Sequence, residues 1–190
     1  MSGLPTEPAE RHRAIAGHFA DLTRGTSDWD APAPVEGWAA RDVVRHLVEW
    51  FPAFLAGGTG IRLDPVPSPD EDPEGSWAGH AAQVQALLDD PATAERTFSN
   101  PHTGEHPLDR AIDQFYTSDV FMHSWDLARA SGQEPDLDPE TAAAMLEGMQ
   151  PIDEMLRASG QYGPKVEVSD DLPAQDRLMA FVGRDPAWRP

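Results

Sequence analysis

Asp119 and His123 stand four residues apart in the stretch Asp119-Val-Phe-Met-His123-Ser-Trp-Asp126, with a second carboxylate a turn further on. At roughly 100° per residue, an α-helix aims positions i and i+4 at one spot, the arrangement in which a carboxylate and an imidazole ligate a single cation. Ile112, Tyr116, Asp119, His123, Asp126, Leu127 and Ala130 fall within about a third of the helix circumference, so the polar trio shares the apolar stripe. Two carboxylates and an imidazole facing a core are costly to desolvate unless paired, and a bound cation offsets all three. A third ligand has to come from another helix. His46, at the edge of an apolar face one turn before Trp50, is the best-placed residue for it. Two imidazoles, one carboxylate and an open position describe a catalytic zinc site, and also suit non-haem iron or nickel. Asp126 is then placed behind the ligands, as the acceptor that orients an imidazole N–H. Spacing alone leaves a second reading open, with His123 a satisfied core histidine and Asp119 bonded to a neighbouring hydroxyl or to Arg41 or Arg45.

The elements that must position these residues read as helices. Pro8 opens a first helix in which Ile15, Phe19 and Leu22 recur at helical spacing up to Gly25, with His18 on the rim of the stripe. A turn-rich segment, 29–37, precedes a second helix from near Ala39, whose inner stripe is Val43, Leu47, Trp50 and Phe54; Pro52 predicts a kink or a loosened last turn. The run from Gly57 to Gly75, rich in Gly, Pro and Asp, is long enough to cross the end of a bundle, which lets helices two and three run parallel. Helix three is expected from Ser76, as N-cap, to Pro91. Thr97 to Gly104 reads as a small hairpin, with His102 and His106 facing solvent. The fourth helix runs from near Pro107 to Ala130, where Ser131-Gly132 terminates it; about 24 residues span about 36 Å. Asp138-Pro139-Glu140 starts a fifth helix expected to reach Gly160, and Pro173 to Val182 forms a short last one.

Composition excludes several classes of function. The chain has 190 residues, a formal charge of −19 and no cysteine. That length holds one domain, 1–190, with a real core. The acidic balance argues against nucleic acid and anionic membrane surfaces. Without cysteine there is no disulfide framework, no thiolate zinc site and no protein thiol nucleophile, so any thiol chemistry must come from a substrate. No apolar run approaches the roughly 20 residues of a membrane span and the N-terminus shows no signal pattern, so the expected location is cytoplasmic.

Two blocks carry a family resemblance. Val35-Glu36-Gly37-Trp38-Ala-Ala-Arg41-Asp42-Val43-Val44-Arg45-His46-Leu47, together with Asp119-x-x-x-His123-Ser-Trp125-Asp126-Leu127-Ala128-Arg129-Ala130-Ser131-Gly132, resembles the signature of metal-binding, DinB-like proteins related to the N-terminal domain of mycothiol-dependent maleylpyruvate isomerase. The tail, Tyr162-Gly163-Pro164 with Gln175-Asp176-Arg177-Leu178 and Gly183-Arg184-Asp185-Pro186, is similar to an actinobacterial branch of that family. The resemblance implies an all-α, DinB/YfiT-like four-helix bundle with a crossover loop, here followed by a fifth helix and a short C-terminal extension. It also implies a divalent metal, zinc before nickel or iron, held by His46, Asp119 and His123, with Asp126 supporting a ligand. Trp50, Tyr116 and Trp125 are candidates for a pocket wall or for plain packing.

The implied chemistry is that of a transferase or isomerase that activates a low-molecular-weight thiol, mycothiol or a similar cosubstrate, for attack on an electrophilic substrate. A free thiol of pKa about 8.5 is only about 3% thiolate at pH 7, and lowering that pKa by about two units corresponds to roughly 2.7 kcal/mol. The alternative is a non-enzymatic bundle that binds a metal or a small ligand. A homodimer is left open. Two departures stand out: the isomerase pattern has Glu where this chain has Asp119, and 190 residues leave no room for the isomerase's second domain.

Overall fold

The computed structural model describes residues 3–190. Helix α1 is Pro8–Gly25, α2 is Ala40–Thr59 and α3 is Pro73–Asp89. The fourth helix, α4, covers 108–130 in three pieces: an α turn Leu108–Ala111, a π-helical segment Ile112–Thr117, and an α-helix Ser118–Ala130. A hairpin of β1, Thr97–Asn100, and β2, Gly104–Pro107, leads into it.

The four helices form the expected bundle, and side-chain pairs fix their directions. His12 Nδ1 lies 2.9 Å from Gln85 Oε1, and Trp77 Nε1 donates to the Ala16 carbonyl at 3.3 Å, so α1 and α3 are antiparallel. The rings of His12 and Tyr116 stack at 6.2 Å, and Gln133 Nε2, just past α4, donates to the Leu22 carbonyl at 2.9 Å, so α1 and α4 run the same way. Phe54 meets Phe115 at 5.6 Å while His46, two turns earlier, meets Asp119, so α2 opposes α4. It follows that α2 and α3 are parallel, joined by the crossover at 61–71 that the long Gly/Pro/Asp run predicts. Between them lie the fully buried rings of Phe19, Phe51, Trp77 and Tyr116, with Leu47, Leu55 and Leu127.

Several expectations need correction. Helix α3 begins three residues before Ser76: Asp72 is the N-cap, its carboxylate accepting from the Gly75 N–H at 2.9 Å, and Pro73 takes the first-turn place where no amide is needed. Helix α2 continues through Pro52 to Thr59 and closes on left-handed Gly60, φ 76°. The fifth helix does not reach Gly160. It stops as α5, Pro139–Met149, breaks into a 3-10 turn Gln150–Ile152, and resumes as α6, Asp153–Ala158, because Pro151 lacks the amide that an α-helix needs there. The last helix, α7, is Ala174–Phe181 and packs on α5. His102 is exposed as expected, whereas His106 is half-buried, bonded to the Thr103 carbonyl and set edge-on against Phe115.

Candidate metal centre

The α4 segment Ser118–Ala130 is regular, so Asp119 and His123 do project to one spot, with His123 Nε2 3.5 Å from Asp119 Oδ1. From α2, His46 arrives on the other side of the carboxylate, its Nε2 3.1 Å from Asp119 Oδ2, and the two imidazole rings lie 4.7 Å apart. His46, Asp119 and His123 each offer one ligand atom, and these atoms all lie within 4.8 Å of one another. Side-chain exposure falls across the trio from 32% for His46 to 19% for Asp119 and 6% for His123, so approach from solvent is on the His46 side.

The surroundings fix these groups. Trp50 Nε1 donates to Asp119 Oδ2 at 3.0 Å. Asp126, with a fully buried side chain, faces His123 Nδ1 at 2.9 Å and turns Nε2 toward Asp119. Burial alone would raise the Asp119 carboxyl; the His123 charge and the bonds from His46 and Trp50 outweigh it and hold it below the usual carboxylate range. Burial opposes ionisation of Asp126 too, and Arg184 and His123 more than compensate. Arg41 and Arg45 do not serve Asp119: Arg41 pairs with Asp30 at 2.7 Å, and Arg45 with Asp42 and Asp70. Two imidazoles and an ionised carboxylate converging with their ligand atoms free of helix bonding are a donor set that suits a divalent ion such as zinc, nickel or iron.

Of the three pocket candidates, Trp50 reaches the site through its indole N–H, and Tyr116 lies behind it at 6.0 Å between rings. Trp125 goes elsewhere. Two residues beyond His123 it points to the far side of α4, fully buried, with the Arg129 guanidinium 5.1 Å from its ring.

Three residues join that spacing did not point to. Trp38 stacks on His123 at 5.8 Å and tilts against His46 at 5.2 Å, carried there by a tight turn at Gly37, φ 78°, where Ala33 N–H bonds the Trp38 carbonyl. Arg184 donates to both oxygens of Asp126, Nη2 at 3.0 Å and Nε at 3.3 Å. Tyr162 is close enough that, after burial, the Asp119 charge raises its phenol further. All three stand in the blocks quoted for the resemblance, which was the one signal available.

The family described as mycothiol maleylpyruvate isomerase N-terminal domain matches residues 9–128. The chain belongs to that family. All four of His46, Asp119, His123 and Asp126 fall inside the matched stretch of this mycothiol maleylpyruvate isomerase N-terminal domain, and Tyr162 and Arg184 fall outside it. Two uncharacterized proteins from two strains of Mycobacterium tuberculosis are each 29% identical over 188 residues, covering 94% of this chain and 98% of the relative. No solved structure matches the chain. Among the described residues, no helix is long and apolar enough to cross a membrane.

Proposed function

We propose that this chain is a single-domain, divalent-metal-dependent enzyme of the mycothiol-dependent transferase or isomerase type, which activates a low-molecular-weight thiol for attack on an electrophile. The observation that carries the reading is the convergence of His46, Asp119 and His123, one ligand atom each within 4.8 Å, on a bundle whose family is named for a mycothiol isomerase. His46, Asp119 and His123 would hold the ion, and the ion would supply a lowered thiol pKa at its open position. The chain's own residues do the rest. Asp126 keeps the proton on His123 Nδ1, so Nε2 presents its lone pair. Trp50 holds one carboxylate oxygen of Asp119 in place. Trp38 and Trp50 flank the imidazoles with apolar surface and exclude water on those sides, leaving the more exposed face of His46 for entry of thiol and electrophile.

The test is metal content and thiol-dependent turnover on protein purified without a histidine-rich tag. A stoichiometric divalent ion, and turnover of an electrophile panel that needs an added thiol, are expected. Both are lost in His46→Ala and in His123→Ala while the helical circular dichroism is retained. Turnover that survives both changes, or absence of any ion after reconstitution, overturns the reading and leaves a ligand-binding bundle.

A further inference from the structure

The matched domain ends at residue 128, yet one contact of the centre comes from far beyond it. Arg184 sits just after α7, its side chain 14% exposed, and reaches back 58 positions to Asp126, which is fully buried. The local chain is built for that reach. Leu178, Met179 and Val182 are buried in the core, the Arg184 N–H bonds the Met179 carbonyl at 2.8 Å, and Gly183 makes the turn at φ 96°. A Cβ at Gly183 would lie 2.9 Å from the backbone of Gly163, whose carbonyl is held by Arg157. The tail is thus pinned, and it delivers a guanidinium to one carboxylate.

The donor inventory gives that delivery a consequence. Arg184 has only donors, and it gives one to each oxygen of Asp126. Asp126 Oδ2 also faces His123 Nδ1 at 2.9 Å, so the proton in that contact belongs to Nδ1 and the lone pair to Nε2, the atom turned toward Asp119 and His46. We propose that Arg184 is a positioning residue of the candidate metal centre: it clamps Asp126 and so fixes the tautomer and ring orientation of His123, which makes the C-terminal extension part of the centre. The inference rests on the metal reading, and it adds a positioning residue that lies outside the family domain.

Two measurements on the full chain test it. The first is binding of cobalt(II) alone, followed by visible absorption and by competition with a chelator, in wild type, Arg184→Met, Arg184→Lys and Asp126→Asn, each checked for helical circular dichroism. Arg184→Met and Asp126→Asn are expected to weaken binding about 10- to 100-fold and to change the cobalt spectrum, Arg184→Lys to fall between, and the double variant Arg184→Met with Asp126→Asn to be no worse than the more damaged single. The second needs no metal: imidazole nitrogen shifts of His123 should report the Nδ1–H tautomer in the wild type and a mixture of tautomers in Arg184→Lys, the variant least prone to misfold. A role confined to anchoring the tail would lower Tm and leave the folded protein's affinity, spectrum and tautomer unchanged. Wild-type binding with unchanged affinity and tautomer in the Arg184 variants overturns this inference alone, whereas no cobalt binding by the wild type overturns the metal reading and this inference with it.

Discussion

Acidification should unfold this bundle earlier than its carboxylates alone would, because of His80. The imidazole is 1% exposed and walled by Phe51, Trp77 and Tyr116, and its Nε2 has no hydrogen-bond partner among the described residues. Burial, with His12 alongside, lowers its pKa from 6.5 to about 4. The folded protein therefore resists a proton that the unfolded chain accepts. Above about pH 6.5 neither state carries it; between there and about pH 4 only the unfolded chain does, and stability falls by about 1.4 kcal/mol per pH unit. The whole window is worth about 3 kcal/mol, against a total stability of about 5–15 kcal/mol for a domain of this kind. His80→Leu removes the titrating group from an apolar wall at little cost in volume, so the variant should be as stable as wild type near pH 7. Urea unfolding at about pH 7 and about pH 4.5 should then show the wild type losing about 2–3 kcal/mol more than the variant. The acidic groups are common to both proteins and cancel in the comparison, and His12, lowered by burial in the same direction, differs between them only through its repulsion with His80, which belongs to the effect being measured. Parallel losses in the two proteins would refute the reasoning.

Removing the indole donor tests how Asp119 is held: Trp50→Phe should destabilise the metal-free protein by about 1.5–3 kcal/mol in urea unfolding, the range for a hydrogen bond to a charged group, with the ring packing against Phe51, Phe54 and Tyr116 kept. Two glycine substitutions should move in opposite directions in thermal melts. Gly183→Ala meets the Gly163 backbone at 2.9 Å and a positive φ, and should cost about 1–3 kcal/mol with faster hydrogen exchange across α7; Gly148→Ala, helical with open space around it, should be neutral or gain up to about 1 kcal/mol.

Legibility followed the kind of signal each residue leaves. Apolar periodicity in Ile15, Phe19 and Leu22 or Val43 and Leu47 marks a face that must be buried, so the bundle and its parallel middle pair could be read from stripes and one long connection. Asp119 and His123 were legible because a helix converts i, i+4 into proximity, and His46 because it flanks a stripe. The interior histidines left no such mark. His12 and His80 are buried polar groups on helices whose apolar signal is carried by other residues, and in α3 that signal is weak. Asp72 was hidden as a cap inside a run of Gly, Pro and Asp that reads as loop, and the π-helical segment 112–117 has no sequence periodicity of its own. Arg184 is the sharpest case: only the folded chain closes the 58 positions to Asp126, and no spacing rule spans them.

The placement of Arg184 also bears on what the centre can accept. Asp119 and Asp126 are both held below the usual carboxylate range, and among the described residues Arg184 is the one arginine or lysine bonded to either of them, so the group would carry one net negative charge with neutral imidazoles, the form in which they would ligate a metal. A divalent ion would turn that into one net positive charge in a place where charge is poorly solvated, and a single anionic co-ligand would restore neutrality. Without Arg184 the same ion would already leave the centre neutral, and an anion arriving there would be uncompensated. On the metal reading the guanidinium would raise the affinity of the loaded centre for a singly charged anion while steadying His123, and the proposed thiolate is such an anion. The chain has no cysteine, so a thiolate in that place would come from solution, by the more exposed side of His46.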